Sequence, residues 1–401
     1  MLIENWLPIL FVIFLLGALF QLPWLVYFSA AISVLLSLTW FWSSHALDHL
    51  NYSRRWRFRR GFPGEKIILR VEVENRKYLP VSWLRATDPI PLEVGTTDPR
   101  LLSPSHMEEI GYLINLYGLR WHQKVTRSYE LLLRKRGVYP IGPVQLESGD
   151  LFGMYEQCKE TTQQDLVVVY PELIPFEKLH LRTDDPFGDR RTRRQLFEDP
   201  NLTIGVRPYQ PEDDLRRIHW PATARSGSLQ VRQYQPVSAR VFMLCLNIPG
   251  QGSYWIDNFS ELLERLASLS ATLAYHAVED GYSVGLLSNG CLAHADQPFH
   301  IPPGRSPNQL TMLLSALAGI TPFTVAPFEL FLQHNVNQIP IGATLVLVTP
   351  LVNPALIATL LRIRRYRWNT TLISLAPDPL PEIPGIHGLH LPFTLIERSD
   401  R

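Results

Sequence analysis

The sequence predicts an α+β multi-domain protein: an N-terminal transmembrane helical hairpin, a β-sandwich middle domain and a C-terminal α/β domain of the doubly wound type. Three patterns predict this class: an uncharged apolar start, a middle region of alternating apolar and polar residues, and a final region in which apolar strands alternate with amphipathic helices. At about 100–200 residues per domain, the 401 residues allow two or three domains. The predicted divisions are 1–50, 61–175, a linker at 176–239, 240–380 and a tail at 381–401.

Residues 1–50 are expected to form the membrane hairpin. No charged residue occurs from Trp6 to Trp42, and Gln21-Leu22-Pro23 interrupts this run where two helices can turn. A spanning helix needs about 20 apolar residues, and Pro23 suits the first turn of the second helix because no N–H is needed there. A half-inserted hairpin is an alternative for the shorter first helix. A cleaved signal peptide is disfavoured because no Lys or Arg precedes Arg54.

A cluster of arginines follows the second predicted span and sets its orientation. Such clusters stay on the cytoplasmic side, so the bulk of the chain is expected in the cytoplasm, anchored in the cell inner (plasma) membrane by a multi-pass hairpin. These arginines could also bind anionic headgroups, at about 1 kcal/mol each near the surface. They are Arg54, Arg55, Arg57, Arg59 and Arg60.

The middle region has the period-two pattern of half-buried strands. Apolar residues occupy every second position from Ile67 to Val73, and further candidate strands are separated by turns rich in Pro and Gly. Short strands at this spacing are typical of a sandwich of immunoglobulin-like size. The further candidates are 81–87, 110–117, 125–133 and 166–170.

The last region is expected to form a mostly parallel sheet, with buried strands at Val241–Ile248, Ala343–Val348 and Thr370–Leu375. Ligands of such folds bind beyond the carboxyl ends of the strands. The tip after the first strand offers Asn247 and Ser253 but no carboxylate, so this degenerate position is a poor site for a hard cation.

Several functional classes lose support from composition and motifs. Lys and Arg (38) nearly balance Asp and Glu (37), which argues against a nucleic-acid groove. The three cysteines form no CxxC, and the chain contains no GxGxxG, GxxxxGK[ST], GxSxG or HExxH. The sequence therefore predicts no cofactor and gives no catalytic motif.

The densest cluster of polar and aromatic residues runs from Pro208 to Gly227. If 212–219 is a short helix, Asp213 and Arg216 are spaced to pair, with Trp220 buried against the sheet. We expect an Asp–Arg network that fixes the junction between two domains. The alternative is an acid/base pair of Asp213 and His219, which is disfavoured because no nucleophile or metal ligand accompanies it.

This segment resembles a known family. The patterns Tyr209-x-Pro211-x-Asp213-x-x-Arg216-x-Ile218-His219-Trp220 and Ala224-Arg225-x-Gly227-x-Leu229-x-Val231-Arg232 look like the signature of the bacterial domain-of-unknown-function fifty-eight family. The resemblance implies a von Willebrand factor A-like C-terminal half, paired membrane spans, and genes that neighbour AAA+ ATPases of the MoxR type. It thus implies a role in assembling or activating other proteins.

The sequence departs from the family pattern at three places. Glu212 replaces a Gly, Leu151 replaces a Pro, and Asn247-Ile248-Pro249 stands where metal-binding von Willebrand domains carry Asp-x-Ser-x-Ser. The last departure weakens a metal-dependent mechanism.

The resulting hypothesis is a membrane-anchored, non-enzymatic adaptor or scaffold for protein assembly that works with a MoxR-type AAA+ ATPase through protein–protein interaction. The alternatives are a metal-dependent ligand-binding module using Asn247 and Ser253, and an uncharacterised enzyme using Asp213 and His219. The signature residues expected to fix the junction and dock the partner are Tyr209, Asp213, Arg216, Trp220, Arg225 and Arg232.

Overall fold

Two helices and an eleven-stranded region form the first of two compact units, Met1–Tyr170, and a mixed α/β region forms the second, Pro171–Arg401. The computed structural model describes residues 6–175, 197–211, 213, 215–237, 241–250, 259–293, 295–340, 342–364 and 368–392.

The chain starts with the helices α1 (Trp6–Leu19) and α2 (Pro23–Ser44), with Pro23 at the first helical position as predicted. The 22 residues of α2 span about 33 Å, enough to cross a hydrocarbon core of about 30 Å. The 14 residues of α1 span only about 21 Å. Among the described residues, one helix near the N-terminus is therefore long and apolar enough to cross a membrane.

The rest of the first unit is built from three sheets, with the strand orders β1-β3-β7, β10-β9-β4-β6-β5 and β2-β11-β8. The strands are β1 (Leu50–Trp56), β2 (Arg60–Gly61), β3 (Lys66–Asn75), β4 (Val81–Pro91), β5 (Leu102–Pro104), β6 (Ile110–Leu119), β7 (Lys124–Leu132), β8 (Gly137–Ile141), β9 (Gln145–Gly149), β10 (Glu156–Glu160) and β11 (Asp165–Val169).

The period-two pattern of β3 places its apolar residues in one core. Ile67, Leu69, Val71 and Val73 are all buried, and they pack with buried residues of β4, β6 and β11 such as Leu84, Leu113 and Val167. The sequence-based strands at 81–87, 110–117, 125–133 and 166–170 lie largely within β4, β6, β7 and β11.

A buried arginine joins the three sheets of this unit. The guanidinium of Arg54 on β1 lies 2.9 Å from Asp88 on β4 and 3.1 Å from Asp165 on β11, and its side chain is 0% exposed. The Tyr52 hydroxyl donates to Asp88 at 2.8 Å. Burial raises the pKa of the Asp88 carboxyl, an effect that Arg54 and the Tyr52 hydrogen bond oppose.

The juxtamembrane arginines consequently differ in their exposure and in their partners. Arg54 is enclosed in the ion cluster and cannot reach a lipid headgroup, contrary to the expectation that all five could. Arg55 and Arg59 are exposed but pair with Glu72 and Asp165, each at 3.1 Å. Arg57 and Arg60 are exposed.

The second unit combines a two-stranded sheet with a seven-stranded sheet, in which β15, β14, β18, β19 and β20 run parallel while β16 and β17 pair antiparallel with β15. The strands are β12 (Phe197–Pro208), β13 (Gln230–Val237), β14 (Val241–Leu246), β15 (Ser283–Leu292), β16 (Ala295–Gly304), β17 (Ile320–Thr324), β18 (Thr344–Thr349), β19 (Asn369–Ser374) and β20 (His387–His390). The helices are α3 (Trp220–Ser226), α4 (Phe259–Glu279), α5 (Gln309–Ala318), α6 (Phe328–Asn335) and α7 (Pro354–Ile363).

Helices cover the large sheet because its strands are apolar on both faces. Met243, Cys245 and Leu345 pack in one cluster with residues of α6 and α7. The alternate residues Phe242 and Leu244 are also fully buried, and α4 contacts β14, β15 and β18. The apolar runs predicted the parallel strands β14, β18 and β19, whereas the antiparallel strands β16 and β17 and the parallel edge strand β20 were not predicted.

Replacing Arg54 with Met should lower the free energy of unfolding of the first unit by about 3–5 kcal/mol, because two buried carboxylates lose their cation. The matched control is Arg55→Met, which removes an exposed ion pair and should cost less than about 1 kcal/mol. Denaturant midpoints of the detergent-solubilised full chain measure both effects. Equal losses for the two variants would contradict a joining role for Arg54.

Candidate functional site

The signature segment, which we define as 208–227, connects two paired strands of the second unit. β12 and β13 are antiparallel, with Arg207 opposite Val231 and Val206 opposite Arg232. The connection closes tightly, since the Tyr209 N–H donates to the Leu229 carbonyl at 2.9 Å. The segment is therefore a connection between two hairpin strands that is closed at its base by a backbone hydrogen bond.

Asp213 stabilises the backbone in the first half of this connection. Its carboxylate accepts two hydrogen bonds from the Arg207 guanidinium, at 2.7 and 2.5 Å, and one from the Gln210 N–H at 2.9 Å. The hydrogen bond from Arg207 is the largest of the effects that hold the pKa of Asp213 below its ordinary value. Asp213 thus forms a bidentate pair with Arg207, an upstream arginine that the sequence did not indicate as its partner.

The helix expected over 212–219 is much shorter. It is a single 3-10 turn at Leu215–Arg217, and the side chain of Arg216 lies outside the described part of the chain, so the predicted Asp213–Arg216 pair stays a prediction. The pairing with Arg207 was missed because the arginine belongs to a strand, where helical spacing rules do not apply.

His219 has a structural role at the start of α3. Its Nδ1 accepts from the Ala222 N–H at 3.0 Å, which caps the helix, and its own N–H donates to the Gln230 carbonyl at 2.8 Å. Gly227 ends the helix with φ 68°, a left-handed conformation that suits glycine. His219 and Asp213 each have a separate local partner.

Several signature side chains face solvent instead of the core. Trp220 is 67% exposed, which contradicts the expectation that it is buried, and Leu215 is 64% exposed. The buried position is taken by Ile218, which is bridged to Val231 on β13. Arg225 and Arg232 are exposed, whereas Tyr209 is half-buried.

A second candidate site lies at the carboxyl ends of the parallel strands. In the sheet, β14 lies between β15 and β18. The chain adds β15 on one side of β14 and β18 on the other, so the topological switch point lies between β14 and β18. Asn247 follows β14, and its Nδ2 donates to Thr349 Oγ1 at the end of β18 at 2.9 Å. The Thr349 hydroxyl donates in turn to the Leu351 carbonyl at 2.7 Å.

The neighbouring strand ends use their polar side chains in the same way. Buried Asn289 accepts from the Ile248 N–H at 2.8 Å and donates to the carbonyls of Ile248 and Ala326 at 3.0 and 3.2 Å. Ser374 accepts from the Ala376 N–H at 3.2 Å. These side chains hold the loops that follow the strands.

The predicted metal position is only partly described. Asn247 lies at the switch point, and Ser253 lies outside the described residues. In the described ranges, no group of three or more His, Cys, Asp or Glu side chains is arranged to hold a metal ion. Thr349, the last residue of β18, and Asn289, within β15, were not predicted as site residues, although each is a polar residue that follows an apolar run in its strand.

Part of the second unit matches a known protein family. Residues 205–382 match the family described as "Protein of unknown function DUF58". "Uncharacterized protein YeaD" of Bacillus subtilis (strain 168) is 24% identical over 174 residues, which cover 42% of this chain and 41% of that protein. The chain therefore matches less than half the length of this relative. The resemblance to DUF58 is confirmed over the matched residues, and the likeness to von Willebrand domains and the ATPase partner stay predictions.

Two of the solved structures to which the chain is similar are remote likenesses. The CARDB domain of the PF1109 protein from Pyrococcus furiosus has 11% identity and a TM-score of 0.21, covering 30% of this chain and 91% of that one. Spo0M, a sporulation control protein from Bacillus subtilis, has 10% identity and a TM-score of 0.18, covering 31% and 50%. TM-scores this low carry no inference about fold or function.

Asp213→Asn should lower the stability of the second unit, and the loss should depend on pH. The folded-state pKa of Asp213 lies below the ordinary value of 3.8, so its stabilisation is complete above that pH and disappears as the pH falls through the lowered pKa. Unfolding of wild type and variant across the acid range measures the difference. A difference that stays constant throughout that range would contradict the ion pair.

Thr349→Val should destabilise the second unit by about 1–3 kcal/mol, because Asn247 and the Leu351 carbonyl both lose a buried partner. Asn247→Ala removes the other side of the same hydrogen bond, so the double variant should lose less than the sum of the two single variants. Equilibrium unfolding of the three variants measures this coupling. Strict additivity would show that the two side chains act independently.

Proposed function

We propose that this protein is a membrane-anchored, non-enzymatic adaptor or scaffold for protein assembly, and that its partner is an AAA+ ATPase of the MoxR type. Helix α2 supplies an anchor, with α1 completing a hairpin that leaves the bulk of the chain in the cytoplasm. The ATPase partner follows from the resemblance of the signature segment to the DUF58 family, which the match over residues 205–382 supports.

The observation that carries the proposal is that the polar side chains of the signature segment bond to neighbouring residues while its large side chains are exposed. Asp213 and His219 hold the backbone in place through Arg207 and Ala222. Trp220 and Leu215 are left exposed, close in sequence to these hydrogen bonds. Trp and Arg are among the residue types that contribute most to binding energy at interfaces, so the exposed side chains of Trp220 and Arg225 suit protein docking.

The enzyme alternative receives less support from the same contacts. A general base must reach the proton that it removes. The Nδ1 atom of His219 is occupied by the helix cap, and the Asp213 carboxylate is occupied by three hydrogen bonds. Both groups act on their own backbone neighbourhood.

The strand order of the second unit supports the von Willebrand factor A-like interpretation, since it places a switch point between β14 and β18. In a metal-dependent module this point would offer oxygen ligands to a cation. Here the Thr349 hydroxyl is taken up by Asn247 and the Leu351 carbonyl. This arrangement favours the metal-free adaptor over the metal-dependent module.

Crosslinking and affinity capture of the full-length protein from native membranes, followed by mass spectrometry, tests the proposal. Trp220→Ala should reduce recovery of the ATPase by about tenfold or more, the effect expected for a hot-spot side chain. Its unfolding should change by no more than about 0.5 kcal/mol, because Trp220 is exposed. Phe323→Ala removes another exposed aromatic ring of the second unit and should leave recovery unchanged.

Two outcomes would contradict the proposal. Equal recovery with all three proteins would show that Trp220 does not dock the partner. Intact protein captured without any partner would argue against an adaptor, and a melting temperature raised by Mg²⁺ or Mn²⁺ and restored by a chelator would then favour the metal-dependent module.

A further inference from the structure

The turn between β9 and β10 exposes apolar side chains although its backbone is fixed. The buried Asp150 carboxylate accepts from the N–H groups of Phe152 and Tyr155, at 3.0 and 2.8 Å. The backbone returns so closely that a Cβ at Gly149 would collide with the Tyr155 carbonyl oxygen. The exposed side chains of this apolar loop, which we define as 150–155, are Leu151 (69% exposed), Phe152 (63%) and Met154 (41%).

The apolar loop is attached to the last turn of the candidate membrane helix. Ser43 Oγ of α2 donates to the Tyr155 carbonyl at 3.0 Å. Since α2 is about as long as the hydrocarbon core is thick, Ser43 lies at the boundary of the core when α2 spans the bilayer. The headgroup layer beyond that boundary is about 5–8 Å deep, so the loop starts inside it.

Two further turns are fastened to the same helix end. The Lys77 ammonium donates to the carbonyls of His45 and Ala46, directly after α2. The buried amide of Asn75 donates to the carbonyls of Leu79 and Arg120, both at 3.0 Å, and so ties the β3–β4 turn to the β6–β7 turn.

These two turns also carry the side chains that are enriched at membrane interfaces. Tyr78 and Trp121 are exposed aromatics at their tips, and the Tyr78 ring packs edge-on against His122. Arg76 and Arg120 lie beside them and are exposed. Trp and Tyr accumulate where apolar and aqueous phases meet, and Arg adds attraction to anionic headgroups.

We propose that the end of the first unit nearest α2 is a membrane-contact surface, with the apolar loop inserted among the lipids of an anionic bilayer and the two aromatic turns resting on its headgroups. The inference rests on the proposed anchoring by α2. The bilayer is the occupant that fits, because both attachments tie these side chains to the helix end. The contact holds the first unit against the membrane instead of on a free tether.

Site-specific fluorescence quenching tests this contact in the full-length chain, in vesicles of phosphatidylcholine and phosphatidylglycerol. The exposed Cys158 is first replaced by Ser, and a bimane label is then attached at Phe152→Cys. The matched control is Met107→Cys, which is 65% exposed but lies beyond the opposite end of β4 and β6, about 30 Å away along the strands. Val34→Cys, on the exposed side of α2, reports the span itself.

The proposal predicts that lipids with a nitroxide near the headgroup reduce emission of the Phe152 label and leave the Met107 label unchanged. If the Phe152 and Met107 labels respond alike while a nitroxide deep in the acyl chains quenches the Val34 label, the membrane contact is wrong and the anchor stands. Quenching at Phe152 without quenching at Val34 would support the contact and overturn the span, and quenching at neither position would overturn both.

Discussion

The Arg54 guanidinium is the interaction on which the first unit depends. It reaches Asp88 and Asp165, and these three residues belong to three different sheets. Burying these charges costs free energy, because charges removed from water are stable only when they are paired. Only five residues separate α2 from β1. The ion cluster therefore fixes the strand that follows directly after the helix. The helix end and the sheets consequently form a continuous structure.

Because the helix end and the sheets are continuous, the exposed side chains near α2 hold a defined position relative to the helix. Exposed Leu, Phe and Met side chains on a loosely attached loop would carry little information, because isolated surface hydrophobics are common. Here the apolar loop is fixed by Asp150 and attached through Ser43, and the aromatic turns are attached through Lys77. The same polar contacts that order these turns keep their apolar side chains pointing away from the core.

Periodicity predicted the parts of the fold that it governs. The alternation in β3 and the apolar runs of β14, β18 and β19 were visible because burial repeats along them. β16 was missed because its Pro and His residues interrupt any alternation, and it is held by pairing with β15. Arg207 and Ile218 show the same limit in the signature segment. The partner of Asp213 is set by a contact between a strand and a loop, and Ile218 takes the buried position by bridging to β13 while Trp220 is exposed. No regular spacing in the sequence indicates either contact.

The second unit uses its polar side chains to close the place where doubly wound folds usually bind ligands. Asn247, Thr349 and Asn289 each stabilise a loop beyond the strand ends, and polar groups that bond within the protein are not available to a ligand. The signature segment differs: the polar residues Asp213 and His219 bond to neighbouring residues, whereas the large side chains Trp220 and Leu215 remain in solvent. A protein that recognised a small ligand would need convergent polar groups at a concave site. A protein that recognises another protein needs exposed side chains on an ordered backbone, and this contrast is the reason why we propose an adaptor.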